Sequence, residues 1–359
     1  AIAAGDARAA AEHARALVFT VGYRLSDPDQ GQVWLELGRA SLRRLGGDPE
    51  LDARLSSAEG AMLVAAGRHE QALGAHARAR AYWQEHEPAG PSLAAVLDDI
   101  GAVEVVLGRP EVAIELHRES LRLKRTSYGE HHPQVASSIR ELGSALGHAH
   151  RWSEALEQFE RALTIEREAR GERTQYVAAL LDDIGRVLRN TDRLDEAIEH
   201  HRRALEIWEA VLGDPHPDLA VSVLNVGYTL SAAGRTGDAL EQFLRALRMF
   251  EATVGAEHPY IVYASNAVAA ALVELGRHDE ARPYLERVLA MEGVAVDPTL
   301  LAETRFTLAH ALWGGKAAGP AERAQARRLA QRALDDYRPQ AERWAPQIEQ
   351  IEAWLAEHG

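Results

Sequence analysis

The chain has 359 residues, with 40 Lys and Arg against 54 Asp and Glu, a formal net charge of −14, 46% hydrophobic and 6% aromatic residues, and no cysteine. That balance argues against a phosphate-backbone binder, whose affinity comes from clustered Lys and Arg releasing counterions. The missing cysteine removes disulfides, thiol nucleophiles and thiolate zinc sites. The most apolar stretches, Ala16 to Val21 and Ala267 to Val273, fall far short of the ~20 residues of a membrane span. A soluble, cytoplasmic chain is expected, with neither nucleic acid nor membrane as partner. It starts at Ala1 without a basic and apolar leader, so no targeting signal is expected, and a start without Met suggests a fragment. Apart from Lys124 and Lys316 every basic residue counted is arginine, the skew that a GC-rich bacterial genome leaves.

In chain order, residues 1–50 read as one degenerate helical hairpin. From Leu51 the chain is periodic, and a fixed period sets the architecture before any local assignment. Gly60, Gly67, Arg68 and Ala72 match Gly101, Gly108, Arg109 and Ala113 at a step of 41. Gly101, Gly143, Gly185, Gly227 and Ala269 then stand at steps of 42, as do Ala113, Ala155, Ala197, Ala239 and Ala281, and Leu121, Leu163, Leu205, Leu247 and Leu289. A last unit carries Ala309, Ala326 and Leu334 after a longer turn around Gly314 to Pro320. Seven units, with their small residue at 60, 101, 143, 185, 227, 269 and 309, therefore fill 51–338. Over 339–359, Trp344, Ile348, Ile351 and Leu355 fall at helical spacing with Glu349, Glu352 and Glu357 off that stripe, which predicts a capping helix.

Within one unit, Asp218 to Ala233 and Gly237 to Val254 each place apolar residues on a helical period, broken at Ala233-Gly234-Arg235 where Gly can take positive φ. Gly213-Asp-Pro-His-Pro217, Gly255-Ala-Glu-His-Pro259 and Gly129 to Pro133 stop one unit and start the next, with Pro where its missing N–H costs nothing. Small residues at Gly227, Ala239 and Ala246 let helices approach, and Val226, Leu230, Phe243 and Leu247 fill the space between them. One such hairpin cannot bury its apolar face, so the units must stack. Strand-like alternation is absent. The fold class is all-α, a superhelical solenoid of antiparallel hairpins.

The order of small-residue helix, Gly-Arg turn, Glu-Ala-Leu and Arg-Ala-Leu resembles the tetratricopeptide repeat. Gly234-Arg235-Thr-Gly-Asp-Ala-Leu240, Arg245-Ala-Leu247 and Gly255-Ala-Glu-His-Pro259 are similar to its 42-residue, kinesin-light-chain-type variant. The resemblance covers Leu51 to Arg338 and implies a protein-binding scaffold. With the lead-in Gly46-Gly-Asp-Pro-Glu-Leu51 the array is also similar to the region that follows the catalytic domain in bacterial serine/threonine protein kinases. The chain itself has no phosphate-cradling Gly-rich loop, no His-Arg-Asp triplet and no Asp-Phe-Gly. A regulatory array of a STAND-type signalling NTPase and a self-associating adaptor are the alternative contexts.

No catalytic constellation is visible. His200 and His201 point about 100° apart on a helix, the pairs His131-His132 and His148-Ala-His150 fare no better, and His-Glu-x-x-His spacing is absent, so no metal and no cofactor is expected. His132, His216 and His258 recur at the His-Pro junction, a structural loop position by the family resemblance. His117 and His201 occupy the column of Phe159 and Phe243, which predicts a packing role. There is no Gly-x-Ser-x-Gly elbow. The turn arginines Arg68, Arg109, Arg151, Arg193, Arg235 and Arg277 recur in six of the seven units, which predicts that they stabilise the carbonyl end of the preceding helix.

The resemblance implies that the first helix of each unit lines a concave groove, through the residues three before and one after the small position. The first row is Asp98, Arg140, Asp182, Leu224 and Asn266, and the second includes Arg186 and Tyr228 between Ala102, Ser144 and Ala270. Arg189 and Tyr263 fall on the same face. Two readings follow: a ladder of alternating Asp, Arg and Asp contributing at most ~1 kcal/mol per exposed pair, or a site that binds a protein or peptide segment by paired charges and aromatic anchors. The two identical stretches Leu97-Asp-Asp-Ile-Gly101 and Leu181-Asp-Asp-Ile-Gly185 lie two units apart.

Overall fold

Three of the repeats begin with the same local chemistry. In α11 (Pro217–Ala232) the His216 side chain accepts the backbone N–H of Asp218 at 3.1 Å, and Pro217 supplies the first turn with its φ already helical. The same N-cap is built by His132 ahead of α7 (Pro133–His148) and by His258 ahead of α13 (Pro259–Glu274). The junction histidines are thus helix starts, in agreement with their expected structural role. The first helix of a unit ends on a left-handed residue that lets the next backbone N–H turn back, as in Arg235 N–H to Leu230 O at 2.9 Å. Glycine fills that position at 67, 108, 234 and 276, but His150 and Asp192 adopt it at φ 57° and 61°.

The turn arginines correct the sequence expectation. It is their backbone N–H that closes the carbonyl end of the first helix. In Arg151, Arg193 and Arg277 the guanidinium reaches forward to the acid three residues on, Glu154, Glu196 and Glu280 in turn, each at 2.7 Å, whereas Arg109 pairs with Glu104 and Glu70. That acid sits in the first turn of the second helix, where the helix dipole favours it.

The computed structural model describes residues 7–25, 27–255, 258–291, 298–316 and 318–358. Among them are seventeen α-helices and no strand, so the all-α class holds. Residues 1–6 of the expected N-terminal hairpin, Ala256 and Glu257 of one junction, Ala317 of the long turn and Gly359 of the cap lie outside the described residues. The chain divides into two compact units, Ala1–Glu172 and Arg173–Gly359.

Unit 1 stacks the hairpins α3 (Pro49–Ala65) with α4 (His69–His86), α5 (Pro91–Val106) with α6 (Pro110–Tyr128), and α7 with α8 (Trp152–Arg170). Ahead of them α1 (Ala7–Leu17) runs into a π-helical turn, Val18–Arg24, before α2 (Pro28–Leu45). Leu35, Leu51, Leu55 and Met62 form the core beneath this turn. In unit 2 the pairs are α9 (Gln175–Asn190) with α10 (Leu194–Leu212), α11 with α12 (Thr236–Thr253), α13 with α14 (His278–Leu289), and α15 (Pro298–Gly314) with α16 (Pro320–Tyr337). A final helix, α17 (Ala345–Glu357), buries Ile351 and Trp354. Trp354 stacks on His358 and meets Trp313 edge-on at 5.6 Å, an aromatic seal at the end of the stack.

Candidate functional site

The predicted site residues separate into two groups. Asp98, Asp182 and Asn266, from the column three before the small residue, lie in the seams between hairpins. Asp98 Oδ1 accepts from Nδ1 of His117 at 3.0 Å, and its Oδ2 accepts from Lys124 Nζ at 2.7 Å and Ser138 Oγ at 2.8 Å. One carboxylate thereby ties α5 to α6 and to the first helix of the next hairpin, α7. Asp182 repeats the arrangement 84 residues later: it accepts from His201 Nδ1 at 2.9 Å, Trp208 Nε1 at 3.0 Å and Ser222 Oγ at 3.2 Å. Asn266 holds a variant in which Thr304 Oγ1 donates to its Oδ1 at 3.0 Å. Leu224, in the same column, is apolar core at 8% exposure. Arg140 is partly exposed on α7.

The histidines of these clusters pack as well as bond. A Cβ placed on Gly101 would come within 2.6 Å of His117 Nε2, and one on Gly185 within 2.7 Å of His201 Nε2. A ring packs against the glycine of this column in five units, His76, His117 and His201 in three and Phe159 and Phe243 in two, so the expected packing role of His117 and His201 is found together with a hydrogen bond. Burial raises the Asp98 carboxyl, but the His117 hydrogen bond and the Lys124 ammonium outweigh it and hold the group below the usual carboxylate range.

Of the remaining predicted residues, Arg186 and Arg189 stand on α9, Tyr228 on α11 and Tyr263 on α13, the first helices of three successive hairpins of unit 2. Arg186 approaches Asp183 at 3.5 Å. The Arg189 guanidinium lies 5.7 Å from the Tyr228 ring centroid, and Tyr228 in turn meets Phe243 edge-on. Arg189 Nη1 is buried without a hydrogen-bond acceptor. Burial lowers the Arg189 pKa, and neighbouring Arg186 lowers it further. Burial likewise raises the Tyr228 hydroxyl, with Glu303, Arg189 and Tyr263 as its charged and polar neighbours. Glu303 is open to water yet walled on several sides, and that crowding pushes its pKa up. Tyr263 borders a cavity of about 830 Å³, whose lining includes Glu303, Phe306, His310, Arg343, Trp344 and Ile351. Its size falls in the ~300–1,000 Å³ range of ligand sites. Aromatic surface, a desolvated guanidinium donor and carboxylates on one wall can hold an extended segment carrying both an apolar and an acidic side chain.

Sequence reasoning missed the part played by α15 and α17 in this wall. Trp354 stands beside the Trp344, Ile348, Ile351 stripe on the same helical period and is the signal that could have found it. Among the described residues no group of three or more His, Cys, Asp or Glu is arranged to hold a metal ion, and no helix is long and apolar enough to cross a membrane.

A tetratricopeptide repeat model matches residues 51–126, 92–168, 176–252 and 224–292, more than half of the chain. The chain belongs to the tetratricopeptide repeat family. Its helical hairpins are similar in fold to a Rap protein complexed with competence and sporulation factor (TM-score 0.62, 16% identity, 99% of this chain and 100% of that one). They are also similar to the apo form of the quorum sensor NprR from B. thuringiensis (TM-score 0.64, 11% identity, 90% and 86%). A kinesin light chain from Podosopora anserina with nearly identical TPR-like repeats matches at 22% identity over 56% of this chain and 96% of that one, with a TM-score of 0.48. No curated protein matches the sequence.

Proposed function

We propose that this chain is a non-catalytic interaction scaffold that takes a partner segment along the first-helix wall of unit 2, between Arg186 and Arg189 at one end and the cavity beyond Tyr263 at the other. The observation that carries this reading is Arg189: a buried guanidinium donor lacks an acceptor, and a buried unsatisfied donor costs about 1–3 kcal/mol unless a ligand supplies one. An acidic side chain or backbone carbonyl of the segment fills that need. An apolar side chain enters between Phe306, Trp344 and Ile351. The Rap protein seen with competence and sporulation factor and the quorum sensor NprR support a signalling factor as the kind of segment bound.

The contexts differ in what stands beside the array. We take the kinase interaction region as its setting on the strength of the sequence resemblance, and the gene upstream of Ala1 tests that choice. The binding wall is tested by a photo-reactive residue at Ala270, which lines the cavity. It should crosslink a segment selected from a displayed peptide library, whereas the same group at exposed Val211 on α10 should not. Equal crosslinking at both positions would place the ligand elsewhere.

A further inference from the structure

Unit 1 holds a third histidine of the column that contains His117 and His201. His76 is 1% exposed, and its ring lies against Gly60 as the other two lie against Gly101 and Gly185. In those two units the residue three before the glycine is an aspartate that accepts from Nδ1. In this one it is Ser57, too short to reach, and His76 Nδ1 is buried without a partner. The nearest acid, Asp99, stands 3.9 Å away, beyond hydrogen-bond reach. His76 borders a cavity of about 460 Å³, lined also by Ser57 and Asp99 and, among apolar residues, by Phe19, Val64 and Val103. Arg15 and Arg54 also line it. Arg54 is committed to Glu50 and to the face of Trp83, whereas the Arg15 guanidinium pairs with no described residue.

We propose that this cavity is a binding site for an apolar carboxylic acid, whose carboxylate takes the place that Asp98 and Asp182 fill in the sibling clusters, accepting from His76 Nδ1 beside Arg15. The two occupied clusters show that the histidine in this column holds a carboxylate when one is in reach. The cavity supplies the cation for charge balance and an apolar wall for the rest of the molecule. Burial keeps His76 neutral, at a pKa of about 4, so Nδ1–H is available as a single neutral donor. The acid can arrive as a free branched-chain or aromatic monocarboxylate or as the C-terminus of an apolar peptide.

Asp99 gives the site a pH signature. The Asp99 side chain is half open to solvent, and its carboxyl is pushed up to about 7 by partial desolvation at the cavity wall and by Asp98, with Glu141 acting in the same sense and Lys124 against it. The other charges facing it are Arg15 from α1 and Arg54 from α3, with neutral His76 from α4. A second carboxylate beside Asp99 favours its protonated form, so binding takes up a proton and weakens as pH rises through about 7. A ligand headed by an ammonium would do the opposite.

The full chain, with ¹⁵N-labelled histidine, is titrated with 4-methylpentanoate, its amide and isopentylamine from about pH 6 to about pH 8. The expected result is a saturable shift of the His76 Nδ1 resonance by the acid, with the amide roughly tenfold weaker and affinity falling about tenfold towards the upper pH. Ser57→Asp restores the sibling cluster and should abolish binding while keeping the fold; Arg15→Gln should weaken it about tenfold. A leucine-ended peptide with a free or amidated C-terminus separates the two sources, and binding of either free acid, lost in Ser57→Asp, supports the site. No His76 shift with any acid, equal binding to Ser57→Asp, or tighter binding by the amine at the upper pH would overturn it.

Discussion

The Asp98 and Asp182 clusters occupy the same place in hairpins two repeats apart, one in each unit, and differ in a single partner. Histidine and serine are common to both, but the third donor is the Lys124 ammonium in unit 1 and the Trp208 indole in unit 2. Lys124 is 7% exposed and Asp98 14%, so unit 1 carries a buried ammonium–carboxylate pair where unit 2 has an uncharged indole donor in the same place. The difference teaches that repeat geometry fixes where a carboxylate goes and leaves open how its charge is balanced. Removing Asp98 strands the Lys124 ammonium, whereas removing Asp182 leaves only a hydrogen-bond donor, the Trp208 indole, at the equivalent place.

The largest consequence is an asymmetry in mutational cost. Asp98→Ala should destabilise by about 3–5 kcal/mol and Asp182→Ala by about 1–3 kcal/mol, read from the urea midpoints of the full chain; equal costs would break the comparison. Next in size is a change that ought to be symmetric. Gly101→Ala and Gly185→Ala should each cost about 1–3 kcal/mol, against the roughly 1 kcal/mol that Gly to Ala contributes in an unhindered helix, because the new methyl meets a histidine ring in both. A net gain in either would show that the ring can yield.

Acid should then separate the two clusters. The Asp98 pKa is depressed in the folded chain, so its contribution is fully present above the unfolded value of about 3.9 and is lost as pH falls through the folded one. Thermal melts between about pH 5 and pH 2 should show a Lys124→Met variant losing less stability than the parent, and parallel curves would contradict the ion-pair account. The smallest effect belongs to the turns. His150→Gly and Asp192→Gly should each stabilise by about 1 kcal/mol, offset in part by unfolded-chain entropy, and the melting midpoint measures the balance.

The columns at steps of 42 made the helical hairpins legible as a repeat, because a ring packed against glycine recurs in five units and a small alanine recurs in the second helix. Which way the column three before the glycine points was not legible. A short Asp there sits at the boundary between the open wall and the seam, and its serine partner lies 40 residues away. A signal existed: His117, Ser138 and their counterparts His201 and Ser222 repeat at the same interval of 84 as the Leu-Asp-Asp-Ile-Gly stretches. Arg186, Arg189, Tyr228 and Tyr263 stand on three different helices, and only the family resemblance, which assigns these first-helix columns to a groove, put them on one expected face. The cavity beside His76 was not, since it arises from what Ser57 lacks.

The binding wall of unit 2 is tested most directly by the affinity of a library-selected segment for the full chain and for its Arg186→Glu, Arg189→Gln variant, with helical content followed by circular dichroism. Each lost charge-assisted hydrogen bond is worth about 1.5–3 kcal/mol, so the account predicts at least about tenfold weaker binding with unchanged helicity. Unaltered affinity in that variant would contradict it.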